Sequence, residues 1–192
     1  MRTMNKRQKN IGVIITPSRR QTNRLASTQA TGGPRPAERD HTMNEDSITP
    51  LLKQAYAAEL ETVQNYLANS VWLDGLRARE VSEALAEDVT EELGHAKQLA
   101  HRLKQLDACP PGSLKLERNQ KTLQPPTDST DLHAVVDGVI QAERDAISIY
   151  KRIINACEGT DRVTQDLATR ILADEEKHRT LFEGFRKALR NE

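Results

Sequence analysis

The chain has 192 residues, of which 29% are charged and 3% are aromatic, and this length suits one domain with an additional segment. It has only two cysteines and no apolar run near the roughly 20 residues of a membrane span, which excludes a disulfide framework, a cysteine zinc cluster and a transmembrane helix. No apolar signal-peptide core follows the basic N-terminus, so we expect a cytoplasmic protein without a membrane partner.

Charge is distributed unevenly along the chain. Residues 1–42 carry nine Lys or Arg and two acids, a net charge of +7, whereas the other 150 residues carry 19 basic and 26 acidic groups. The basic segment has too little apolar surface to offset the entropy of ordering, so we predict a disordered arm over residues 1–45. The sequence leaves open a solvated tail, a true start at Met43, a transit peptide and a nucleic-acid-binding arm over residues 1–42.

From Thr49 onward the apolar residues follow a helical period, and we predict an all-α domain over residues 46–192. Thr49 and Pro50 together are typical of a helix start. The two short connections predict antiparallel hairpins, and the long polar connector over 109–129 predicts a crossover along the bundle. The four predicted helices cover about 50–76, 80–108, 131–158 and 161–190.

The two halves of this domain repeat one pattern. Each has a glutamate with a tyrosine seven residues later, and then a Glu-x-x-His motif 32 or 33 residues after that glutamate. In the first half the four residues are Glu59, Tyr66, Glu92 and His95, and in the second half they are Glu143, Tyr150, Glu175 and His178.

The spacing of this repeat predicts a metal site. Residues three apart on a helix share a face, so the Glu and the His of each motif point in one direction. Glu59 and Glu143 each lie on an otherwise apolar stripe, and buried carboxylates repel one another unless cations neutralise them. Two divalent ions would balance four carboxylates. One Glu-x-x-His alone is also common on a solvated helix, but two copies at matched positions favour the metal site. The two stripes are Leu52, Tyr56, Glu59, Val63, Tyr66 and Ser70, and Val136, Val139, Ile140, Glu143, Ile147 and Tyr150.

These motifs resemble those of bacterioferritins and of Dps-like ferritins that keep a bacterioferritin-type site. The resemblance covers about residues 47–190 and implies a ferritin-like four-helix bundle with a carboxylate-bridged di-iron site, holding two iron ions per chain. It further implies that Glu92 and Glu175 bridge the irons, each of which has one more glutamate and one histidine. The segments that carry the resemblance are Glu59–Tyr66, Glu92–Ala96, Ala142–Arg144 and Asp174–His178.

In detail, the resemblance implies that Glu59 and His95 are terminal ligands of one iron and that Glu143 and His178 are terminal ligands of the other. Tyr66 matches the tyrosine that this family places beside the ligands. We expect Tyr66 and Tyr150 to donate an electron, to hydrogen-bond a ligand, or simply to fill the interior.

Three departures from the family limit the prediction. Leu93 and Gly94 occupy the place of the methionine that binds haem in bacterioferritins, so we do not expect haem. The cysteine pair of the Dps-like relatives falls at positions that look like Asp145 and Gln165. The chain ends 14 residues after His178, too soon for the short fifth helix of 24-subunit cages.

The expected function is that of a ferroxidase that oxidises Fe(II) with O₂ or H₂O₂, detoxifies iron and stores it if a homo-oligomer encloses the site. A dimer, a 12-subunit shell and a 24-subunit shell are all open, as is manganese in place of iron. The alternatives are a non-storing rubrerythrin-like peroxide reductase, a DNA-protecting Dps-like protein that uses the basic arm, and a scaffold with vestigial ligands. Rubrerythrins commonly add a Cys-x-x-Cys module, which this sequence lacks.

The remaining polar residues are expected to have no part in the site. We predict that His101 and His133 are surface residues and that Cys109 and Cys157 are free thiols. The acids predicted to be solvated, with a role in iron access as the alternative, are Glu61, Asp88, Glu91 and Glu176.

Overall fold

The computed structural model describes the backbone of residues 42–190 and the side chains of residues 48–190. Within this range it forms four helices and no strand: α1 is Thr42–Trp72, α2 is Ala78–Gln105, α3 is Leu132–Cys157 and α4 is Arg162–Arg190. Two 3₁₀ turns, Ser113–Lys115 and Lys121–Leu123, lie in the connector between α2 and α3. The predicted bundle of two hairpins and a crossover is confirmed. The predictions for the basic arm concern residues 1–45, almost all of which lie outside the described residues.

The predicted start of the first helix, at about residue 50, is wrong. Helix α1 begins at Thr42 and has Pro50 in its interior, where the missing N–H leaves one carbonyl without its helical donor. Helix α3 is capped by Asp131, whose carboxylate accepts a hydrogen bond of 2.9 Å from Ala134 N. None of the helices in residues 42–190 is both long and apolar enough to cross a membrane.

The apolar core forms one cluster towards each end of the bundle. Each helix contributes residues to both clusters, and the glutamates and histidines of the repeat fall between them along every helix. Water is therefore excluded above and below the polar middle layer. The largest buried side chains are Tyr66, Leu85, Leu123, Ile140 and Phe182 in one cluster, and Ile48, Leu52, Leu99, Leu103, Tyr150, Ile153 and Ile171 in the other.

Helix α1 is rotated slightly from its predicted orientation. Leu52, Glu59 and Tyr66 are buried as predicted, but Tyr56 and Val63 are only half-buried at the edge of the core. The inward stripe is completed by residues three rather than four positions along the helix. These are Ala55, Thr62 and Asn69.

Polar side chains of α1 fix the crossover connector. Glu61, which we predicted to be solvated, is only 5% exposed, and its carboxylate accepts hydrogen bonds from Asn119 N at 2.8 Å and Gln120 N at 3.1 Å. Gln120 Nε2 donates to Thr62 Oγ1 at 2.6 Å. The buried acid on α1 thus satisfies backbone donors of the connector, which a helical periodicity cannot reveal.

The connector also packs tightly against α3 at Gly138. A Cβ atom placed on Gly138 would lie 2.4 Å from Thr122 O, well inside contact distance. We therefore expect Gly138→Ala to lower the free energy of unfolding by about 1–3 kcal/mol in urea titrations. Gly184→Ala is the matched control, because Gly184 also lies in a helix and a Cβ atom placed there would meet nothing beyond its own stretch of helix within 4 Å. That substitution should raise stability by up to about 1 kcal/mol, and equal effects of the two would contradict the packing.

Candidate metal centre

The six residues that the sequence selected converge at the middle of the bundle. Glu59 lies on α1 and Glu143 on α3, while each Glu-x-x-His motif spans one turn of α2 or α4. All six are buried, with exposed fractions of only 1–3%. They are Glu59, Glu92, His95, Glu143, Glu175 and His178.

The six residues form two overlapping groups of potential ligands. In the first group, oxygens of Glu59, Glu92 and Glu175 and a nitrogen of His95 all lie within 4.8 Å of one another. The second group consists of Glu92, Glu143, Glu175 and His178, whose ligand atoms also all lie within 4.8 Å of one another. Glu92 and Glu175 belong to both groups, which is the arrangement required of two bridging carboxylates. Each group can therefore offer three carboxylates and one imidazole to one ion.

Six potential ligand atoms of this cluster lack hydrogen-bond partners within the part of the chain that the structure describes. His95 Nδ1 lies 3.1 Å from Glu175 Oε1, and His178 Nδ1 lies 3.3 Å from Glu92 Oε1, yet neither contact has hydrogen-bond geometry. Buried polar atoms are rarely left unpaired, since each costs about 1–3 kcal/mol. Metal ions would satisfy all of them at once, so the residues fit a two-metal site. The unpaired atoms are both carboxylate oxygens of Glu92, Glu143 Oε2, Glu175 Oε1 and Nδ1 of both histidines.

Two buried tyrosines tie the hairpins together at this centre. Tyr66 on α1 donates a hydrogen bond to Glu143 Oε1 on α3, and Tyr150 on α3 donates one to Glu59 Oε1 on α1. Each tyrosine therefore holds the glutamate of the other hairpin. Burial and the nearby carboxylate raise the pKa of each phenol well above its ordinary value, so both remain hydrogen-bond donors.

Three further acids surround the outer nitrogens of the histidines. His95 Nε2 lies 3.5 Å from Asp174 Oδ2, and His178 Nε2 lies 3.2 Å from Glu91 Oε2 and 3.7 Å from Asp88 Oδ1. Acceptors at Nε2 leave Nδ1 as the nitrogen free to bind a metal.

These roles were not predicted from the sequence. Asp88 and Glu91 were predicted to be solvated, but Asp88 is only 8% exposed and Glu91 is half-buried against His178. Asp174 was not singled out. Their spacing was an available signal, since Asp88 lies one turn before Glu92, while Glu91 and Asp174 each directly precede a predicted ligand.

The other predictions for single residues gave mixed outcomes. His101 and His133 are exposed as predicted, and both cysteines are free, with Cys109 exposed and Cys157 buried. Glu176 lies at the surface, 3.7 Å from Lys151 Nζ.

Without metal, the centre holds protons at neutral pH. Burial, and then the charge of Glu92, raise the pKa of Glu59 to about 8. Burial alone would lower the pKa of His178, but the close carboxylates of Glu92 and Glu143 raise it to about 9. Burial likewise opposes a raised pKa at His95, yet the surrounding carboxylates raise it strongly. These protons partly balance the negative charges that metal ions would otherwise neutralise.

Binding of divalent ions should therefore release protons. Ligands bind a metal in their deprotonated forms, and the raised pKa values mean that Glu59, His95 and His178 are largely protonated at pH 7. We expect anaerobic titration with Zn²⁺ at pH 7 to release at least two protons per chain, and the apparent affinity to increase as the pH rises from 6 to about 9. Calorimetry in buffers of different ionisation enthalpy measures the release. Binding that is independent of pH would contradict this picture of the metal-free centre.

Comparison with known proteins identifies the family of the chain. The family model for the ferritin-like domain matches residues 50–191, which is most of the chain. The chain belongs to the ferritin-like family. This ferritin-like chain is 27% identical over 141 residues to the DNA protection during starvation protein of Pyrococcus furiosus, covering 72% of this chain and 76% of that protein. It is 25% identical over 145 residues to the bacterioferritin of Desulfovibrio desulfuricans, covering 75% and 76%.

A solved structure has the same fold. The dodecameric thioferritin of Bacteroides fragilis, a bacterioferritin-related protein, aligns with a TM-score of 0.67 at 24% identity, covering 77% of this chain and 88% of that one. In this ferritin-like chain Asp145 is an exposed residue of α3 that accepts a hydrogen bond from Gln141 Nε2, and Gln165 on α4 donates to Ile154 O. The two positions at which the sequence resemblance places a cysteine pair thus carry polar, non-redox side chains here.

Proposed function

We propose that this ferritin-like protein is a ferroxidase that oxidises Fe(II) at a two-iron centre. The observation that carries the proposal is that six buried ligand atoms of the two overlapping groups have no hydrogen-bond partner among the described residues. Four carboxylates and two imidazoles are hard and borderline donors, which suit iron in both oxidation states.

In this proposal each iron has one terminal glutamate and one histidine. Glu59 and His95 bind the first ion, Glu143 and His178 bind the second, and Glu92 and Glu175 bridge them. Four negative charges then balance two Fe(II) ions. The His95 Nδ1 to Glu59 Oε2 distance of 3.8 Å and the His178 Nδ1 to Glu143 Oε1 distance of 4.0 Å leave room for an ion between each pair.

The reaction needs two Fe(II) substrates because the oxidant takes two electrons. With H₂O₂, two Fe(II) and two protons give two Fe(III) and two waters; with O₂, two Fe(II) and two protons give two Fe(III) and H₂O₂. One electron leaves each iron, so a paired site avoids the radical that a single ferrous ion releases from peroxide.

The protein would hold the ligands of the iron ions in position and keep water away from the centre. The apolar clusters towards the two ends of the bundle limit the access of water to the centre. Tyr66 and Tyr150 hold Glu143 and Glu59 in place through hydrogen bonds from their phenols.

Storage of the product requires an enclosing shell. The thioferritin of Bacteroides fragilis is dodecameric, and we propose that this chain likewise assembles into a homo-oligomeric shell that retains oxidised iron.

Light scattering after aerobic loading with Fe(II) tests the function and the shell together. We expect the mass of a shell of a dozen or more subunits, with iron far above two ions per chain. A monomer or dimer that holds two ions per chain and consumes H₂O₂ would instead identify a non-storing di-iron peroxide reductase. Failure to oxidise Fe(II) faster than buffer alone would contradict the ferroxidase proposal.

A further inference from the structure

A groove with a volume of about 1210 Å³ lies between α1, α3 and residues 109–120 of the connector. Binding sites for small organic molecules typically occupy roughly 300–1,000 Å³, so the groove has room for such a ligand. None of the six residues proposed to bind metal is among the described residues that line it. The groove is therefore a feature of its own, separate from the two-iron centre.

The walls of the groove are largely apolar because α1 and α3 both have small side chains there. Ala57 and Ala58 line it on α1, and Ala142 and Ala146 line it on α3. Leu114 of the connector also lines the groove and is fully exposed to solvent. A ligand with an alkyl chain would remove this apolar surface from water, which favours binding.

The directions of α1 and α3 determine which side chains meet at each end of the groove. Tyr150 of α3 contacts Glu59 of α1. Further along α3, Arg152 Nη1 donates a hydrogen bond of 3.3 Å to Gln54 Oε1, which precedes Glu59 on α1. The two helices therefore run antiparallel, and Lys53, the neighbour of Gln54, lies at the same end of the groove as Arg152.

The two ends of the groove consequently differ in charge. Lys53 and Arg152 line one end, and neither is in an ion pair with an acid among residues 48–190. Glu61 and Asp145 line the other end, about 12 Å away, because Glu61 lies eight residues along α1 from Lys53. A long ligand with a single anionic end is thus oriented in one direction. The connector adds one charge of each sign, at Lys115 and Glu117.

We propose that this groove binds the anion of a free long-chain fatty acid. The carboxylate lies between Lys53 and Arg152, which can both donate charge-assisted hydrogen bonds to it. The alkyl chain follows the alanines towards the other end, where Asp145 would repel a carboxylate. Because α1, α3 and the connector enclose the groove on three sides, it takes a single chain from solution rather than a lipid within a membrane. The inference goes beyond the proposed ferroxidase function and does not depend on it.

Cys109 serves as a reporter of binding, because its exposed thiol lines the groove whereas Cys157 is buried. Metal-free protein is mixed with dodecanoate below its micelle concentration, and alkylation of Cys109 by N-ethylmaleimide, an uncharged reagent, is followed by mass spectrometry. At about ten times its Kd, dodecanoate should slow this alkylation about 10-fold. Equilibrium dialysis should give one dodecanoate per chain.

Charge variants test the position of the carboxylate. Lys53→Glu/Arg152→Glu should raise the Kd for dodecanoate at least about 10-fold, because repulsion replaces attraction at the cationic end. The control is Lys97→Glu/Arg162→Glu, which makes the same change of charge at exposed positions of α2 and α4 and should bind like the wild type. Dodecylammonium, with the same chain and the opposite charge, should bind at least about 10-fold more weakly than dodecanoate to the wild type.

Changes in size test the position of the alkyl chain. Ala146→Phe places a ring in the groove and should abolish the protection of Cys109 by dodecanoate, while circular dichroism shows unchanged helix content. Octanoate should bind the wild type at least about 10-fold more weakly than dodecanoate, because it buries fewer methylene groups.

Several results would overturn the proposal. These are the absence of protection by dodecanoate, protection that Ala146→Phe leaves unchanged, and equal binding of dodecanoate and dodecylammonium. Protection by vesicles of anionic phospholipid without protection by dodecanoate would show that this face binds a membrane surface instead. All of these measurements use metal-free protein, so none of the results alters the case for the two-iron centre.

Discussion

The variant His95→Ala/His178→Ala is expected to lose the tight binding of two divalent ions per chain and to oxidise Fe(II) at least about 100-fold more slowly than the wild type. Each histidine supplies the only nitrogen ligand of one group, and loss even of an outer contact to a metal ligand commonly costs about 10–100-fold in affinity or activity. Binding is measured by anaerobic titration, and oxidation by the absorbance of ferric iron. Circular dichroism should show that helix content is retained.

The chain offers a matched control for this variant. His101→Ala/His133→Ala removes the same number of imidazoles from exposed positions of α2 and α3. This protein should bind two ions and oxidise Fe(II) like the wild type. Equal iron binding by the two double variants would show that the buried histidines do not hold the metal.

Replacing the two glutamates proposed to bridge the metals should stabilise the metal-free protein and remove the stabilisation that metal provides. In Glu92→Leu/Glu175→Leu, two buried carboxylates give way to apolar side chains, and each half keeps one Glu–His pair whose glutamate is still hydrogen-bonded by a tyrosine. Replacement of buried charged groups by apolar ones of similar size is often neutral or stabilising by about 1–4 kcal/mol. We expect the metal-free variant to be more stable than the metal-free wild type in urea titrations.

With metal bound, the wild type should become more stable than the variant. A non-oxidising ion such as Zn²⁺, at about 1,000 times its Kd, adds about 4 kcal/mol for each site to the wild type, because it binds the folded chain alone. The variant should gain almost nothing. If the metal-free variant is instead less stable than the wild type, the carboxylate cluster is not strained without metal and exists for packing. If added Zn²⁺ stabilises both proteins equally, the bridging role of Glu92 and Glu175 is wrong.

Much of the architecture was accessible from the sequence because a helical bundle is encoded locally. The four helices follow from apolar periodicity and from the Pro and Gly residues between them, and the crossover follows from the length of the connector. The residues of the centre could be predicted because the same pattern occurs twice in the sequence, once as Glu59 with the first Glu-x-x-His motif and once as Glu143 with the second. The structure brings these residues together, and their binding of metal remains our proposal.

The features that could not be predicted depend on contacts between distant segments. The burial of Glu61 is explained by Asn119 and Gln120, which approach it only once the connector is folded over α1. The rotation of α1 that buries Thr62 and leaves Val63 at the edge likewise depends on what the connector covers. A helical stripe defines a direction only to within about one residue, because neighbouring positions differ by roughly 100° around the axis.

The acids around the histidines illustrate the same limit at the site. Glu91 and Asp174 look like ordinary charged neighbours of the ligands in the sequence, and only the crossing of α2 and α4 brings them within 3.2 Å of His178 and 3.5 Å of His95. Charged residues on a helix are usually solvated, and this general rule wrongly predicts that Asp88 is exposed. Such residues could be recognised only by asking which groups orient the ligands themselves.

The two-iron ferroxidase centre is tested most directly by a single-turnover measurement of how many Fe(II) ions are oxidised rapidly per chain. The protein is loaded anaerobically with increasing Fe(II), mixed with H₂O₂ or O₂ in a stopped-flow instrument, and the amplitude of the fast ferric absorbance is plotted against iron per chain. A two-iron ferroxidase centre predicts an amplitude that rises linearly and breaks at two Fe(II) per chain. A break at one Fe(II) per chain, or no fast phase at all, would contradict it.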